Sequence, residues 1–383
     1  MILLKNGLLH TAVTSEPFIS DILVGDDGKI HEIAPSICAE NAEVLDVAGR
    51  DVYPGFVDAH CHIGLYALGA GAAGDDVNEV NDAVTPQLRA IDAIDPFDEN
   101  FKNAVAAGVT CVATGPGSAN AIGGTFAALK TWGTRVDDMI VKNPIAMKCA
   151  FGENPKAFHQ KSGISTRMAN AAKIRTALST AALYAKKLSA AKADPAKMPA
   201  YDEKSEALLP VLRGELPLKA HAHQANDMFT AIRIAKEFSL KLTLEHVSDG
   251  HLIVDSLAKE HIPLAVGPSL STGKKYELRN VTWQTAGALS NAGCHVCIIS
   301  DAPVVPIQNL PLYAGLAMKA GMTPYDALRS ITIFAAEHIG IEDRVGSIEV
   351  GKDADLVVMN GSPFSIEGSV QMVLVNGEVV VHV

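Results

Sequence analysis

The spacing of hydrophobic and polar positions changes along the chain. Near both ends, short apolar runs alternate with polar positions and stop at glycine, asparagine or aspartate. In the middle, apolar runs of about four to eight residues alternate with longer amphipathic stretches. The first pattern predicts short strands joined by turns, and the second predicts alternating β and α units around a parallel sheet.

The two ends of the chain share the same pattern of short strands. Strands are expected at 1–4, 19–24, 29–33 and 44–47, and again at 354–359, 370–375 and 378–383. Asn360-Gly361 and Asn376-Gly377 are strong turn dipeptides. Because neither set makes a stable sheet alone, we expect residues 1–51 and 346–383 to form one small β-sandwich domain.

The middle of the chain, residues 52–345, predicts an α/β barrel. The expected strands are 52–62, 109–114, 125–131, 145–151, 218–223, 242–247, 263–266 and 296–301. The expected helices are 97–107, 167–190, 227–238, 252–259, 282–292, 310–319 and 324–338. Eight parallel strands over roughly 250 residues match a (β/α)8 barrel of the TIM type, in which active sites lie at the carboxyl ends of the strands.

Composition narrows the function classes. The 383 residues are 48% hydrophobic and 20% charged, with a net charge of −11. This charge argues against nucleic-acid and anionic-membrane surfaces, which need clustered lysine and arginine. We expect no signal peptide and no run of about 18 apolar residues. The six cysteines then predict buried thiols in a cytoplasmic protein, including those of the Cys294-x-x-Cys297 pair.

Two histidines stand together at the end of the first predicted barrel strand. His60 and His62 are separated by Cys61, and side chains two positions apart on a strand share a face. Imidazole is the commonest protein metal ligand. Taken alone, the pair is equally compatible with two histidines that meet at a strand end by chance.

Other candidate ligands end other predicted strands. Lys148 lies near the end of the fourth, His221 and His223 end the fifth, His246 ends the sixth and Asp301 ends the eighth. Because the carboxyl ends of barrel strands meet at one mouth, we expect these residues to converge with His60 and His62 on a metal site. Five further histidines are predicted to be solvated or to cap helices: His159, His251, His261, His295 and His338.

Several motifs of the chain resemble those of a known family. The motifs are Pro54-Gly-Phe-Val-Asp-Ala-His-Cys-His62, Ala220-His-Ala-His223, Leu244-Glu-His246, Ser300-Asp301 and the tail Gly346-Ser-Ile-Glu-Val-Gly-Lys-Asp-Ala-Asp-Leu-Val-Val358. They resemble the amidohydrolase superfamily and, within it, the imidazolonepropionase-related amidohydrolases, over nearly the whole chain.

The resemblance implies a set of metal ligands. His60, His62, His221, His246 and Asp301 are the candidates, for one or two divalent ions with zinc as the default. Lys148 resembles the lysine that is carboxylated and bridges two ions in binuclear relatives, although a plain ion pair with Glu153 stays open. His223 and Gln224 are then expected to contact the substrate or to support the ligands.

These ligands predict hydrolysis of a carbon–nitrogen bond. Bound divalent ions lower the pKa of water from about 15.7 toward 7. Asp301 is expected to act as general base, and His246 or His223 to help hold the developing oxyanion. The substrate would be an amide or cyclic amide, including a dipeptide or N-acyl amino acid.

Two alternatives remain open at the level of sequence. One is a mononuclear deaminase of a heterocycle, although Gln224 stands where some such relatives carry an acid. The other is a catalytically silent scaffold of the same fold. For the predicted hydrolase we expect a homo-oligomer that acts on a small-molecule substrate and has no nucleic-acid or membrane partner.

Two loops are expected to shape the substrate site. The glycine-rich segment 64–94 is long enough to be a lid, and a plain solvated loop is the alternative. The segment 267–272 follows the seventh strand and offers hydroxyls and amides to a polar substrate.

Overall fold

A computed structural model describes residues 1–67, 71–271, 273 and 275–383. The strands are β1 Ile2–Leu9, β2 Phe18–Val24, β3 Ile30–Ala34, β4 Glu43–Asp46, β5 Asp51–Pro54, β6 Phe56–Cys61, β7 Val109–Thr114, β8 Ile122–Lys130, β9 Ile140–Ala150, β10 Leu218–Ala222, β11 Leu242–His246, β12 Leu264–Val266, β13 Val296–Ile298, β14 Leu356–Asn360, β15 Ser369–Val375 and β16 Glu378–His382. The helices are α1 Glu99–Ala106, α2 Val136–Met139, α3 Glu153–Phe158, α4 Arg167–Ala191, α5 Glu203–Leu212, α6 Ala225–Phe238, α7 Val254–Ala258, α8 Gln284–Asn291, α9 Leu310–Lys319, α10 Pro324–Ser330 and α11 Ile333–Ile339.

Strands from both ends of the chain share one sheet. Its order is β16-β15-β14-β5-β1-β2-β3, and β4 also pairs with β1. The join is made by β5, which runs parallel to β1 and antiparallel to β14. The expected pairing of the two ends is therefore observed, while the sandwich packing and the domain bounds stay predictions.

The first predicted barrel strand is in fact two strands in different sheets. The stretch 52–62 divides at Gly55: β5 belongs to the terminal sheet and β6 to the barrel. A Cβ at Gly55 would lie 2.0 Å from Thr110 Oγ1, so only glycine lets the backbone pass this close. The Gly55 amide donates to the carbonyl of Asp355 at 2.8 Å, which ties the crossing point to the tail.

The second sheet contains the eight predicted barrel strands. Its order is β13-β12-β11-β10-β9-β8-β7-β6. Backbone bonds from His62 to Ala302 (2.7 Å) and from Asp301 to His60 (3.1 Å) bring its two edges together. The barrel prediction is thus confirmed as a nearly closed eight-stranded sheet within a mixed α/β fold.

The prediction that all eight strands are parallel was wrong. Strand β8 is antiparallel to both β7 and β9. Only residues 115–121 separate β7 from β8, whereas a crossover between parallel strands needs a dozen or more. The chain therefore turns back directly, and no helix lies between these two strands.

Most predicted helices are present, with one break. The helix expected at 324–338 is two helices, α10 and α11, separated at Ile331 and Thr332. The Ile331 carbonyl accepts from the Val57 amide of β6 at 2.7 Å, and Thr332 leaves the helical region with φ −134° and ψ −103°. Helix α5 lies in a segment where no helix was expected.

The cysteines are mostly buried, as predicted. Cys61, Cys111, Cys149 and Cys297 are buried, and Cys294 is partly buried. Cys38 is exposed, so the prediction was wrong for this residue. Within the described ranges, no helix combines the length and apolar character that crossing a membrane would require.

A buried charge cluster links the barrel to the tail. Lys130, at the end of β8, has its Nζ 3.0 Å from Asp353 and 2.8 Å from Asp355. All three side chains are at most 5% exposed. Removing one member of a buried ion pair leaves the other charge uncompensated, which costs about 3–5 kcal/mol.

We therefore predict that Lys130→Met destabilises the protein by about 3–5 kcal/mol, because the buried Asp355 carboxylate loses its cation while Asp353 keeps Arg344 and Lys29. Denaturant unfolding followed by far-UV circular dichroism would measure the loss. The matched control is Arg89→Met, which removes an exposed partner of Asp92 and should leave the unfolding midpoint nearly unchanged. Equal midpoints for the two variants would contradict this role of Lys130.

Candidate metal centre

The predicted site residues lie at the carboxyl ends of the barrel strands. His60 lies in β6 and His62 follows it, His221 lies in β10 and His223 follows it, and His246 ends β11. Asp301 lies three residues beyond β13. The structure brings these six residues together at one mouth, where they form two groups.

The first group consists of His60, His62 and Asp301. One potential ligand atom from each lies within 4.8 Å of the other two, a spacing that could hold a metal ion. The Asp301 Oδ1 atom is 3.2 Å from His62 Nε2 and 3.8 Å from His60 Nε2. The Asp301 carboxylate therefore faces both imidazoles.

The second group consists of His221, His223 and His246. Their potential ligand atoms also lie within 4.8 Å of one another, and all three residues are buried. The ring centroids of His221 and His246 are 4.3 Å apart. The two groups adjoin, because the centroids of His60 and His246 are separated by 5.1 Å.

Hydrogen bonds fix which ring nitrogen carries the proton. His62 Nδ1 lies 2.7 Å from the Gly115 carbonyl, and His246 Nδ1 lies 2.8 Å from the Gly267 carbonyl. Because a carbonyl can only accept, both Nδ1 atoms must donate, which leaves a lone pair on each Nε2. Among the described residues, His246 Nε2 and both ring nitrogens of His221 are buried without a hydrogen-bond partner.

Burial keeps His221, His223 and His246 neutral. Desolvation lowers the pKa of His246 to about 4, although Asp301 opposes the shift. Burial, followed by the neighbouring His246, holds the pKa of both His221 and His223 well below its usual range, and Lys275 adds to both shifts. A neutral imidazole has the free lone pair that a metal ion needs.

Glu245 orients the first group through a hydrogen bond to His60. Its buried carboxylate accepts hydrogen bonds from His60 Nδ1 (2.9 Å), Lys219 Nζ (2.8 Å), His338 Nε2 (2.9 Å) and Thr243 Oγ1 (2.7 Å). Burial alone raises the pKa of a carboxyl group, but Lys219 and His338 hold that of Glu245 well below its usual range. A carboxylate behind a ligating histidine orients the ring and strengthens it as a donor.

Lys148 is fully buried beside the first group. Its Nζ lies 3.0 Å from His60 Nε2, and it does not pair with Glu153. One oxygen of Glu153 instead accepts from the backbone amide of Glu277 at 3.0 Å. Burial lowers the pKa of Lys148 to about 8, against the opposing charges of Asp301 and Glu245. The uncharged amine is thus a minor form near neutral pH, but a far more accessible one than that of an exposed lysine.

The backbone is strained at the same places. His246, Val247 and Asp301 have φ values of 74°, 49° and 54°, in the left-handed region that residues with a Cβ rarely adopt. Each such residue costs about 1–3 kcal/mol, and such strain is concentrated at functional sites.

A cavity of about 520 Å³ opens over the two groups. The lining residues include His62, His221, His223 and Asp301, with Lys275 and Asp75 as further charged side chains. Both predicted loops contribute: Tyr66, Asp75, Val77 and Asn78 come from segment 64–94, and Pro268, Leu270 and Ser271 come from segment 267–272. Residues 68–70 and 272 lie outside the described part of these segments.

Some residues lie elsewhere than the sequence suggested. Gln224 does not line this cavity in the described structure, since its side-chain oxygen accepts a hydrogen bond from Arg167. His338 was expected to be solvated or capping but is buried and bound to Glu245. His159 is likewise buried, and its Nε2 lies 2.7 Å from the Asn120 side-chain oxygen.

Two supporting residues, Glu245 and Lys219, were not singled out from sequence. Lys219 lies two positions before His221 on the same strand, so it shares the face of a predicted ligand. Glu245 directly precedes His246, and strict alternation places neighbours on opposite faces. The strand spacing therefore contained a sign of Lys219 but none of Glu245.

A barrel that gathers neutral histidines, a buried lysine and a carboxylate at the ends of its strands has the architecture of a metal-dependent enzyme. Comparison with known proteins agrees: the chain belongs to the amidohydrolase family, whose family model matches residues 52–380. The predicted family is therefore confirmed.

Individual relatives are similar to different extents. A crystal structure of an amidohydrolase from Thermotoga maritima is 40% identical with a TM-score of 0.96, and each chain covers 100% of the other. Amidohydrolase tasK of Hapsidospora irregularis is 28% identical over 94% of this chain and 40% of its own length. The imidazolonepropionase of Symbiobacterium thermophilum is 34% identical over 37% of this chain and 33% of its own. The chain thus spans well under half the length of these two relatives.

We predict that Glu245→Gln weakens divalent-ion binding about 10–100-fold, because a neutral amide orients and polarises His60 less than a carboxylate. Competition with a chromogenic chelator would measure the affinity of the purified protein for Zn²⁺. Glu337→Gln, which alters the partly exposed partner of His295, is the matched control and should bind as the wild type does. Unchanged affinity in a folded Glu245→Gln variant would argue against this support.

Proposed function

We propose that the protein is a metal-dependent hydrolase of carbon–nitrogen bonds that holds two divalent ions, zinc by default. The observation that carries the proposal is the pair of adjacent three-residue groups, one with Asp301 and one of histidines alone. His60, His62 and Asp301 would hold one ion, and His221 and His246 the other. His223 would then contact the substrate or assist the second ion.

The side chains fit such ions in three respects. His221 and His246 are held neutral, their lone pairs have no other partner among the described residues, and Glu245 lies behind His60. Histidine nitrogen with one carboxylate oxygen is a donor set typical of zinc. Nothing in this donor set requires a redox-active metal.

When bound, the ions would supply an activated water as nucleophile and polarise the substrate carbonyl. Asp301 is then the proton-transfer group. Its carboxylate lies at the mouth, lines the cavity and is held at a pKa below its usual range by His246 and His62 despite its burial. It is therefore anionic at neutral pH, accepts the proton of the attacking water and returns it to the leaving nitrogen. His223 lines the cavity, where it can stabilise the developing oxyanion, whereas His246 has no N–H left for this role once its Nδ1 donates to Gly267 and its Nε2 binds an ion.

Lys148 is the proposed bridge between the ions. A lysine ammonium repels cations, whereas its neutral amine can add carbon dioxide and lose one proton to solvent, which gives a carbamate whose two oxygens share one negative charge. Burial favours this reaction, because a pKa near 8 makes the neutral amine accessible. The amine also lies beside His60, at the edge of the first group.

We predict that Asp301→Asn lowers kcat at least about 100-fold, because the amide cannot accept the proton of the attacking water. Turnover would be measured on metal-loaded protein with a panel of dipeptides, N-acyl amino acids and cyclic amides. Far-UV circular dichroism and metal content would show that the variant is folded and loaded. Wild-type turnover in a folded, loaded variant would refute this role of Asp301.

We predict that Lys148→Met binds one ion per chain where the wild type binds two, because the bridging carbamate cannot form. Elemental analysis after loading with Zn²⁺ and bicarbonate would count the ions. The wild type loaded without carbon dioxide should resemble the variant, and adding bicarbonate should restore its second ion but not that of Lys148→Met. Two ions in Lys148→Met would contradict the bridge.

A further inference from the structure

One cation faces the cavity without a clear purpose in the chemistry proposed above. Lys275 lies in the connection between β12 and α8, and its side chain lines the cavity together with His221, His223 and Asp301. Among the described residues of this lining, it is the only lysine or arginine. Its charge therefore faces the space that a substrate would occupy.

The partner of Lys275 is neutral. Its Nζ donates a hydrogen bond to the side-chain oxygen of Asn154, and the amide nitrogen of Asn154 donates to Ser118 Oγ at 2.7 Å. Lys275 has no carboxylate oxygen within 4.0 Å in the described part of the chain, in contrast to the paired Lys130 and Lys219. An amide orients the ammonium group but leaves its charge uncompensated.

The acid closest to Lys275 on the same segment already accepts a hydrogen bond from another part of the chain. Glu277, two residues after Lys275, is fully buried and accepts from the Glu153 amide at 2.8 Å, while Glu153 accepts from the Glu277 amide at 3.0 Å. This reciprocal pair attaches the β12–α8 connection to the first residue of α3. The backbone that follows Lys275 is thus anchored two residues further on, at Glu277.

Taking the proposed hydrolysis as its basis, we propose that Lys275 binds a carboxylate that the substrate carries in addition to its scissile amide. An ammonium positioned by a neutral partner in a partly enclosed cavity recognises an anion, and the resulting charge-assisted hydrogen bond is stronger than a neutral one. The substrate class is then N-acyl amino acids or dipeptides, and uncharged cyclic amides are disfavoured. Lys275 determines specificity and takes no part in proton transfer.

The first test compares hydrolysis of an N-acyl amino acid with that of its carboxamide by metal-loaded enzyme. We expect the wild type to prefer the acid in kcat/KM, and Lys275→Met to reduce this preference about 10- to 100-fold, mainly through KM, because a hydrogen bond to a charged group is lost. Lys275→Arg should keep most of the preference. The matched control Lys102→Met removes an exposed lysine of α1 and should not change the preference.

A second measurement does not depend on turnover. Succinic monohydroxamate and its carboxamide analogue bind metal ions through the same hydroxamate and differ only at the far end. Calorimetry on the metal-loaded protein should show tighter binding of the carboxylate form, and Lys275→Met should abolish the difference. If the binding difference is found but no amide is hydrolysed, the role of Lys275 is supported and the proposed reaction is refuted. Equal binding of the two probes to the wild type, or an unchanged difference in Lys275→Met, would overturn the inference even if amides are hydrolysed.

Discussion

The carboxylate of Glu245 has no access to solvent and accepts four hydrogen bonds from side chains, two of them from Lys219 and His338. A buried charge is tolerated only when it is paired and fully hydrogen-bonded, so each donor is needed where it lies. His60 is one of these donors. The hydrogen bond to Glu245 therefore fixes the orientation of the His60 ring, which is a candidate metal ligand. The barrel core and the metal centre therefore share one polar network.

The ends of the strands add a second constraint. A regular strand would present alternate side chains, yet the positive φ values at His246 and Asp301 turn the chain just where it reaches the mouth. The strain is supported by backbone bonds: the Val247 amide donates to Ala222 at 3.2 Å, and the Asp301 amide donates to His60 at 3.1 Å. The bond from Asp301 also helps join the two edges of the barrel sheet, so barrel closure and placement of the proposed base depend on the same few residues.

These constraints explain how far the sequence could predict the site. His60, His62, His221 and Asp301 were found because strand ends and two-residue spacing are local properties. Glu245 was missed because the turn at His246, a product of tertiary packing, lets two consecutive residues reach the same cluster. His338 was missed because it lies on α11, and nothing in its local sequence shows that this helix reaches Glu245.

The fold shows the same division between local and tertiary information. Hydrophobic periodicity identified the barrel strands to within several residues, and turn dipeptides identified the terminal hairpins. The direction of β8 was predicted wrongly although its cause was visible, since the short connection 115–121 excludes a parallel crossover. The division of 52–62 at Gly55 was not visible, because it follows from the approach of Thr110, which is remote in sequence.

The charges of the inner network also bear on the proposed bridge. Lys148 and Lys219 are matched in charge by Glu245 and the partly buried Asp301, so these four groups balance one another. Two divalent ions would add four positive charges to this low-dielectric region, where an unbalanced charge is costly. Converting the Lys148 ammonium to a carbamate changes its charge from +1 to −1 and so offsets half of that excess. The remaining excess favours anionic ligands from outside the chain, namely a deprotonated water and a substrate with its own negative charge.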